Sequence, residues 1–185
     1  IVPEGKEQLV ADKLCEVVRA NNHFLDFGLL GSKSVPAMLT RYGYVEDAMK
    51  MITKTEAPSW GYWVETMGYT TLPETWTLSP QFRDASLNHV FMGDVSAWMM
   101  NQLAGINYDA AGPGFRHILI TPHFVEGMDW AKGEYHSVRG LISSQWKREG
   151  GKVTLTVTIP SGCTADIRVG DKTETVGSGT YVNTY

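Results

Sequence analysis

The chain has 185 residues, of which 43% are hydrophobic and 19% charged, a composition typical of a globular protein with a substantial core. Its net charge of −4, without a basic cluster, argues against nucleic acid as a partner. Apolar runs are too short for a membrane span. The chain begins at Ile1 without an initiator Met, so we expect a piece of a longer protein and draw nothing about its compartment.

The two cysteines, Cys15 and Cys163, lie far apart in the sequence. They form neither a disulfide framework nor a CxxC metal motif. We therefore predict two buried free thiols.

Helical patterns fill the first part of the chain. Residues 6–20 predict a helix that ends at Asn21-Asn22 and whose apolar stripe comprises Leu9, Val10, Leu14, Val17 and Val18. A second helix is predicted from Ser34, with Pro36 in its first turn and a stop at Gly43. The third follows directly, with apolar residues at helical spacing at Val45, Ala48, Met49 and Ile52.

Two more helices are predicted after Pro58. Ser59 is a candidate N-cap for a short helix that Gly68 ends, and Tyr69 to Asp84 is predicted to be an irregular loop. Asp84 or Ser86 then caps a long helix that ends before Gly105 and includes Trp98 in its apolar repeat. Because the helices follow one another through short connections, we expect neighbours to pack antiparallel.

The pattern changes to strands after Gly112. Predicted strands are 118–120, 135–138, 141–147, 153–159, 165–169 and 173–176, with a turn at 149–152. Alternation is clearest at Val153, Leu155, Val157 and Ile159, which predicts a half-buried antiparallel strand. The order of helices followed by strands predicts two modules, 1–111 and 112–185.

Residues 58–89 combine aromatic and acidic side chains. Three of the six tryptophans lie here, together with Glu65 and Glu74. Aromatic faces next to carboxylates suit a polyhydroxylated ligand, and glycosidic bond cleavage uses a carboxylate pair. The alternative interpretation is that the tryptophans belong to the core and the glutamates to solvated helix faces.

Four segments give the chain a family resemblance. They are PSWGYWVETMGYTTLPETW (58–76), SLNHVFMGDVSAWMMNQLAGI (86–106), PGFRHILITP (113–122) and GLISSQWKREGGKVTLTVTIP (140–160). In this order they resemble the C-terminal part of bacterial α-L-rhamnosidases of glycoside hydrolase family 78. The resemblance implies an α+β multidomain fold, in which about five helices of a partial (α/α)6 barrel precede an antiparallel β-sandwich.

The resemblance also implies roles for individual residues. Family members invert configuration, and Glu74 matches their general base, whereas the general acid would lie upstream of this chain. His89 matches the histidine that contacts the rhamnose hydroxyls. Pro73 stands where the family usually has Trp, a departure that bears on loop shape and aglycone preference. Glu65 and Asp84 are interpreted as structural, on a helix face and at a helix cap.

The three tryptophans are candidate substrate-binding residues. Trp76 is a candidate for the sugar pocket, and Trp60 and Trp63 either line that pocket or pack between helices, since their spacing places them on one helix face. Trp98 is predicted to be core. Arg83-Asp84 is interpreted as a local ion pair.

No cofactor is implied by the sequence. Three histidines, His117, His123 and His136, lack both ligand-type spacing and an acidic companion cluster, so no metal site is predicted.

The leading hypothesis is therefore a piece of an inverting α-L-rhamnosidase, inactive alone, whose partner is a rhamnose-containing glycan or glycoside. The alternative is a non-catalytic carbohydrate-binding fragment. A glycoside phosphorylase would require a phosphate site near Glu74, which the sequence lacks. Apolar helix faces left exposed by the missing part of the barrel predict self-association or a poorly stable monomer. A periplasmic or extracellular location is favoured.

Overall fold

The structure, a computed structural model, describes residues 2–76 and 85–185, which group into two compact units, 1–97 and 98–185. The predicted module boundary after residue 111 stays a prediction. The helices are α1 (Glu7–Ala20), α2 (Leu29–Arg41), α3 (Val45–Thr53) and α4 (Asp94–Trp98), with π-helical segments at Tyr62–Thr66 and Met99–Leu103 and a 3-10 turn at Pro113–Phe115. None of the described helices is both long and apolar enough to cross a membrane.

Helix α1 buries a stripe that shares Val18 with the predicted one but differs elsewhere. Its buried residues are Ala11, Cys15 and Val18, which repeat at helical spacing. Leu9, Val10 and Val17 are 62%, 44% and 57% exposed, so their assignment to the buried face was wrong. The small side chains of Ala11 and Cys15 permit close packing of this face. Cys15 and Cys163 are both buried and free, as predicted.

Helix α2 begins at Leu29 and not near Ser34, so Pro36 lies in the helix interior. Ser32 is buried, and its hydroxyl donates to the carbonyl oxygens of Leu29 and Phe91 at 2.6 and 3.2 Å, which anchors the first turns. The predicted stop is confirmed. Gly43 has a φ of +93°, and Tyr44 N–H donates to the Leu39 carbonyl at 2.8 Å, which closes the helix in a Schellman motif.

Where a long helix was predicted from Asp84 or Ser86, the described residues from 85 to Gly93 have irregular backbone, and α4 starts at Asp94. Asp84 itself, with Arg83 and their predicted ion pair and cap, lies outside the described residues. The irregular backbone has a visible cause. The N–H of His89 donates to the Leu72 carbonyl and the Ser86 carbonyl accepts from Glu74, so these groups bond to a neighbouring loop and not along a helix.

Eight strands follow: β1 (Ile106–Tyr108), β2 (His117–Ile120), β3 (Trp130–Ser137), β4 (Gly140–Glu149), β5 (Lys152–Ile159), β6 (Thr164–Val169), β7 (Lys172–Val176) and β8 (Gly179–Thr184). They form a first sheet in the order β1-β2-β6-β7 and a second in the order β3-β4-β5-β8. Strands β1 and β8 were not predicted. Strand β2 pairs with β6 in parallel, which corrects the expectation of a wholly antiparallel sandwich.

The core of the second unit, 98–185, lies on the inner faces of the two sheets. The predicted alternation is confirmed: Val153, Leu155, Val157 and Ile159 are all at most 5% exposed. On β4 the buried side chains of Ser144 and Trp146 donate to the carbonyl oxygens of Ala104 and Leu103, at 2.6 and 2.8 Å. Trp98 is 5% exposed, which confirms its assignment to the core.

Candidate active site

Two chain segments meet at the candidate base, Glu74. The backbone N–H of Glu74 donates to the Ser86 carbonyl at 2.8 Å, and that of His89 donates to the Leu72 carbonyl at 2.8 Å. In return, Ser86 N–H donates to Glu74 Oε2 at 3.0 Å. The 72–74 loop and the 86–89 segment are thus held side by side, and the first two predicted site residues, Glu74 and His89, belong to one hydrogen-bonded strip.

The Glu74 side chain is half-buried, and it follows Pro73, which is buried. The backbone N–H of Ser86 orients one carboxylate oxygen of Glu74. Because this donor belongs to the main chain, only a substitution of Ser86 by proline would remove it. A carboxylate in this position has a fixed direction and retains access to solvent. Both properties suit a group that must deprotonate a water molecule.

Three indole rings form a cluster in the same unit. The Trp76 ring stacks on Trp63, with 4.6 Å between ring centroids and 26° between planes. Trp60 meets Trp76 edge-on at 5.0 Å and 90°, and Phe27 does so at 6.2 Å and 74°. Such arrangements are the favoured geometries for aromatic pairs, so the position of Trp76 is set from three sides.

Each indole N–H of the cluster donates to a backbone carbonyl. Trp60 donates to Met92 at 3.0 Å, Trp63 donates to Trp76 at 3.3 Å, and Trp76 donates to Phe27. These bonds tie the segments around residues 27, 76 and 92 together through side chains. Sequence reasoning missed three backbone groups of the site: the carbonyls of Phe27 and Met92 and the N–H of Ser86. It missed them because every residue type has the same backbone carbonyl, and every type except proline has the N–H.

The three tryptophans differ in accessibility. Trp60 and Trp63 are 3% and 1% exposed, so they pack in the core, whereas Trp76 is half-buried. In this arrangement Trp76 is the member of the cluster that retains accessible surface. That Trp60, Trp63 or Trp76 contacts a sugar stays a prediction.

His89 is half-buried and lies edge-on against Phe91, with ring centroids 5.3 Å apart. Its Nδ1 accepts the backbone N–H of Phe91 at 3.3 Å. In the neutral imidazole this contact leaves the proton on Nε2, which is then a hydrogen-bond donor. A donor of this type matches a sugar hydroxyl, although this role too stays a prediction.

A shallow depression of about 240 Å³ adjoins the loop. Its walls are Gly68, Tyr69, Thr70, Thr71, Pro73 and Leu87. Thr71 donates to the Leu87 carbonyl at 2.7 Å, which links the two walls. Glu65 is exposed on the π-helical segment, in agreement with its interpretation as a surface residue.

Two of the three histidines considered as metal ligands, His117 and His123, have other hydrogen-bond partners. His117 Nδ1 lies 2.7 Å from Thr164 Oγ1, and His123 Nδ1 lies 3.1 Å from the Gln102 carbonyl. Among residues 2–76 and 85–185, no three His, Cys, Asp or Glu side chains are grouped as metal ligands would be.

Comparison with known protein families matches nearly the entire chain. Residues 1–103 match the bacterial α-L-rhamnosidase 6 hairpin glycosidase domain, and residues 105–182 match the bacterial α-L-rhamnosidase C-terminal domain. The chain belongs to the bacterial α-L-rhamnosidase family.

Individual relatives agree with this family. An α-L-rhamnosidase of Streptomyces avermitilis is 30% identical over 173 residues, which are 90% of this chain and 16% of that protein. The crystal structure of a Streptomyces avermitilis α-L-rhamnosidase complexed with L-rhamnose superposes with a TM-score of 0.88 at 27% identity, covering 100% of this chain and 20% of that one. For native α-L-rhamnosidase from Aspergillus terreus the TM-score is 0.90 at 26% identity, with 98% and 22% covered.

The chain is much shorter than these rhamnosidases. It spans 16% to 18% of the length of the curated relatives it matches. The whole relatives therefore contain many residues that have no counterpart in this chain.

Proposed function

We propose that this chain is the C-terminal part of an inverting α-L-rhamnosidase, which hydrolyses terminal α-L-rhamnosyl units of glycans or glycosides. In this proposal the chain supplies the general base, Glu74, and an upstream segment supplies the general acid. The proposal rests on one observation above all: the family match includes the strip in which Ser86 orients the Glu74 carboxylate.

The proposed reaction needs two carboxyl groups with different tasks. Glu74 takes a proton from water, the water oxygen bonds to the anomeric carbon, and the glycosidic C–O bond breaks as the acid protonates the leaving oxygen. The separation of the two carboxyl groups in inverting enzymes, roughly 6.5–9.5 Å, leaves room for the water. The product is β-L-rhamnose, and the aglycone leaves as an alcohol.

Trp76 and His89 are proposed to contact the sugar. The accessible part of the Trp76 ring would pack against C–H groups, and His89 Nε2–H would donate to a ring hydroxyl. Trp60 and Trp63 would then act on the sugar through Trp76, because they set the position of its ring.

A test of Glu74 requires the longer polypeptide, assayed with a chromogenic α-L-rhamnoside. We expect Glu74→Gln to lower kcat by about 10² to 10⁴, the usual contribution of a general base, while Glu65→Gln has little effect. Glu65 is a matched control because it is an exposed glutamate of the same unit. The isolated chain, which lacks the proposed general acid, should show no turnover. Full activity of Glu74→Gln would overturn the proposal.

Azide provides an independent test of the role. In Glu74→Ala, azide can attack the anomeric carbon without a base, so added azide should restore turnover and yield β-L-rhamnosyl azide. If Glu74 were instead the general acid, azide would not restore the turnover of a substrate with a poor leaving group, because azide cannot protonate the leaving oxygen. Release of α-L-rhamnose as the first anomer from the unmodified enzyme, followed by NMR, would contradict the inverting mechanism.

A further inference from the structure

The edge of the β-sandwich at β7 and β8 has an open concavity. These are the edge strands of the first and second sheet. A cleft of about 570 Å³ lies between them, lined by both strands and by the turn that precedes β7. This volume falls in the range of small-molecule sites, roughly 300–1,000 Å³.

Strand register shows that polar side chains occupy core-facing positions in this cleft. Glu174 pairs with Ile167, Asn183 pairs with Leu155, and the backbone of Tyr185 exchanges two 2.9 Å hydrogen bonds with Val153. Directly paired residues point to the same face of a sheet. The three partners on β5 and β6 are apolar and at most 5% exposed, so Glu174, Asn183 and Tyr185 lie on the same sheet faces as these core residues. At the sheet edge Asn183 and Tyr185 are half-buried and Glu174 is exposed.

These polar groups are arranged across the cleft. Asn183 Nδ2 of β8 donates to Glu174 Oε2 of β7 at 3.1 Å, which joins the two sheets. The Tyr185 ring packs at 5.9 Å from the Phe124 ring and also lines the cleft. Burial raises the pKa of the Tyr185 phenol above its ordinary value, so the phenol is neutral at physiological pH and can both donate and accept.

Protection of the sheet edge is a competing explanation, because inward-pointing charges prevent edge-to-edge pairing. That function needs one charge, which Glu174 provides. It does not account for a half-buried phenol ring and a half-buried amide around one concavity.

We infer that the cleft between β7 and β8 binds a neutral carbohydrate. The phenol ring offers a surface to sugar C–H groups, and the Glu174 carboxylate and Asn183 amide accept from and donate to hydroxyls. The lining contains two carboxylates, Asp171 and Glu174, and one ammonium group, Lys172. This excess of negative charge disfavours anionic sugars.

NMR titration of the ¹⁵N-labelled 185-residue chain locates the binding site directly. L-rhamnose, D-galactose and D-glucose serve as neutral probes, and D-glucuronate serves as an anionic control. We expect at least one neutral sugar to shift the Asn183 side-chain amide and the backbone signals of β7 and β8 saturably, and glucuronate to shift them less.

Three variants test the geometry. Tyr185→Ala and Asn183→Ala should each weaken the binding about tenfold, the change expected from one lost ring contact or hydrogen bond. Tyr181→Ala should leave it unchanged. Tyr181 lies on the same strand and donates to the Gly177 carbonyl, but it does not line the cleft.

Asn183→Ala decides the test if Tyr185→Ala fails to fold. Absence of saturable shifts at β7 and β8 with all three neutral sugars would overturn the inference in favour of edge protection. Shifts that persist in both Asn183→Ala and Tyr185→Ala would overturn it as well. Neither result bears on hydrolysis at Glu74.

Discussion

Ser86 and Glu74 form two hydrogen bonds with each other, although they lie 12 positions apart in the chain. The Glu74 backbone donates to the Ser86 carbonyl at 2.8 Å, and the Ser86 backbone donates to the Glu74 side chain at 3.0 Å. The first bond positions the residue and the second directs its carboxylate. The 86–89 segment also carries His89, whose backbone N–H donates to the Leu72 carbonyl, so the candidate site is built on main-chain geometry.

Glu74→Asp tests how strongly the reach of the carboxylate matters in the longer polypeptide. Aspartate keeps the charge but is one methylene shorter, which withdraws the carboxylate from Ser86 N–H and from the proposed water. We expect kcat to fall about 100-fold with little change in KM, because general-base catalysis depends on position. Glu65→Asp is the matched control, and activity of Glu74→Asp equal to that of the parent would contradict the proposed role.

Trp76→Ala should destabilise the helical unit. The ring contacts Trp60, Trp63 and Phe27, so its loss leaves a cavity and an unpaired carbonyl. Because Trp76 is only half-buried, we expect a loss of about 2–3 kcal/mol in the free energy of unfolding, below the range for fully buried aromatic residues. Trp130→Ala, at a tryptophan that is 61% exposed, should cost less than about 0.5 kcal/mol.

Urea denaturation monitored by far-UV circular dichroism measures both losses. Equal destabilisation by Trp76→Ala and Trp130→Ala would show that the indole cluster contributes nothing specific. The loss of stability in Trp76→Phe should lie between those of Trp76→Ala and Trp130→Ala, since a smaller ring keeps part of the stacking but cannot donate to the Phe27 carbonyl.

Asp47 should make the stability of the helical unit sensitive to acid. It is 4% exposed, accepts from Arg19 Nε and Nη2 at 2.9 and 2.8 Å, and lies 2.8 Å from His23 Nε2. Hydrogen bonding to the Arg19 guanidinium holds the pKa of Asp47 well below its ordinary value. A lowered folded-state pKa stabilises the fold above the ordinary aspartate pKa of about 4, and this stabilisation is lost as the pH falls below it.

Asp47→Asn should therefore lower the free energy of unfolding at pH 7 by about 2 kcal/mol, the value of a hydrogen bond to a charged group. The difference from the parent chain should shrink as the pH falls below about 4. Asp26→Asn, at an exposed aspartate, serves as the control. A difference that is constant between pH 7 and pH 3 would rule out this linkage.

Self-association of the isolated chain stays a prediction, and α1 offers a surface with which to test it. Leu9, Val10 and Val17 are exposed on this helix, and exposed apolar patches favour association. We expect sedimentation velocity to show concentration-dependent oligomers, and Leu9→Glu combined with Val17→Lys to reduce them. Leu141→Glu, at another exposed apolar residue, should reduce them less. A stable parent chain that is monomeric at all concentrations would contradict the prediction.

Local sequence patterns predicted local structure well. The Gly43 stop and the Glu149–Lys152 turn depend on a few adjacent residues, and the alternation from Val153 to Ile159 reports one buried face. Predictions failed where distant groups intervene. In helix α2, which starts earlier than predicted, Ser32 bonds to the distant Phe91. The segment after Ser86 stays irregular because it pairs with the 72–74 loop.

For the candidate site, the sequence by itself determined the residue types, their order and the resemblance that the family match confirmed. Only the tertiary structure decided which groups orient Glu74, which tryptophan retains accessible surface, and that polar side chains at the β7–β8 edge lie on the same sheet faces as core residues. The physical reason is that composition and periodicity report how each residue relates to its neighbours in the chain. Backbone hydrogen bonds and ring contacts between segments depend on chain folding, and any residue type can supply a backbone donor.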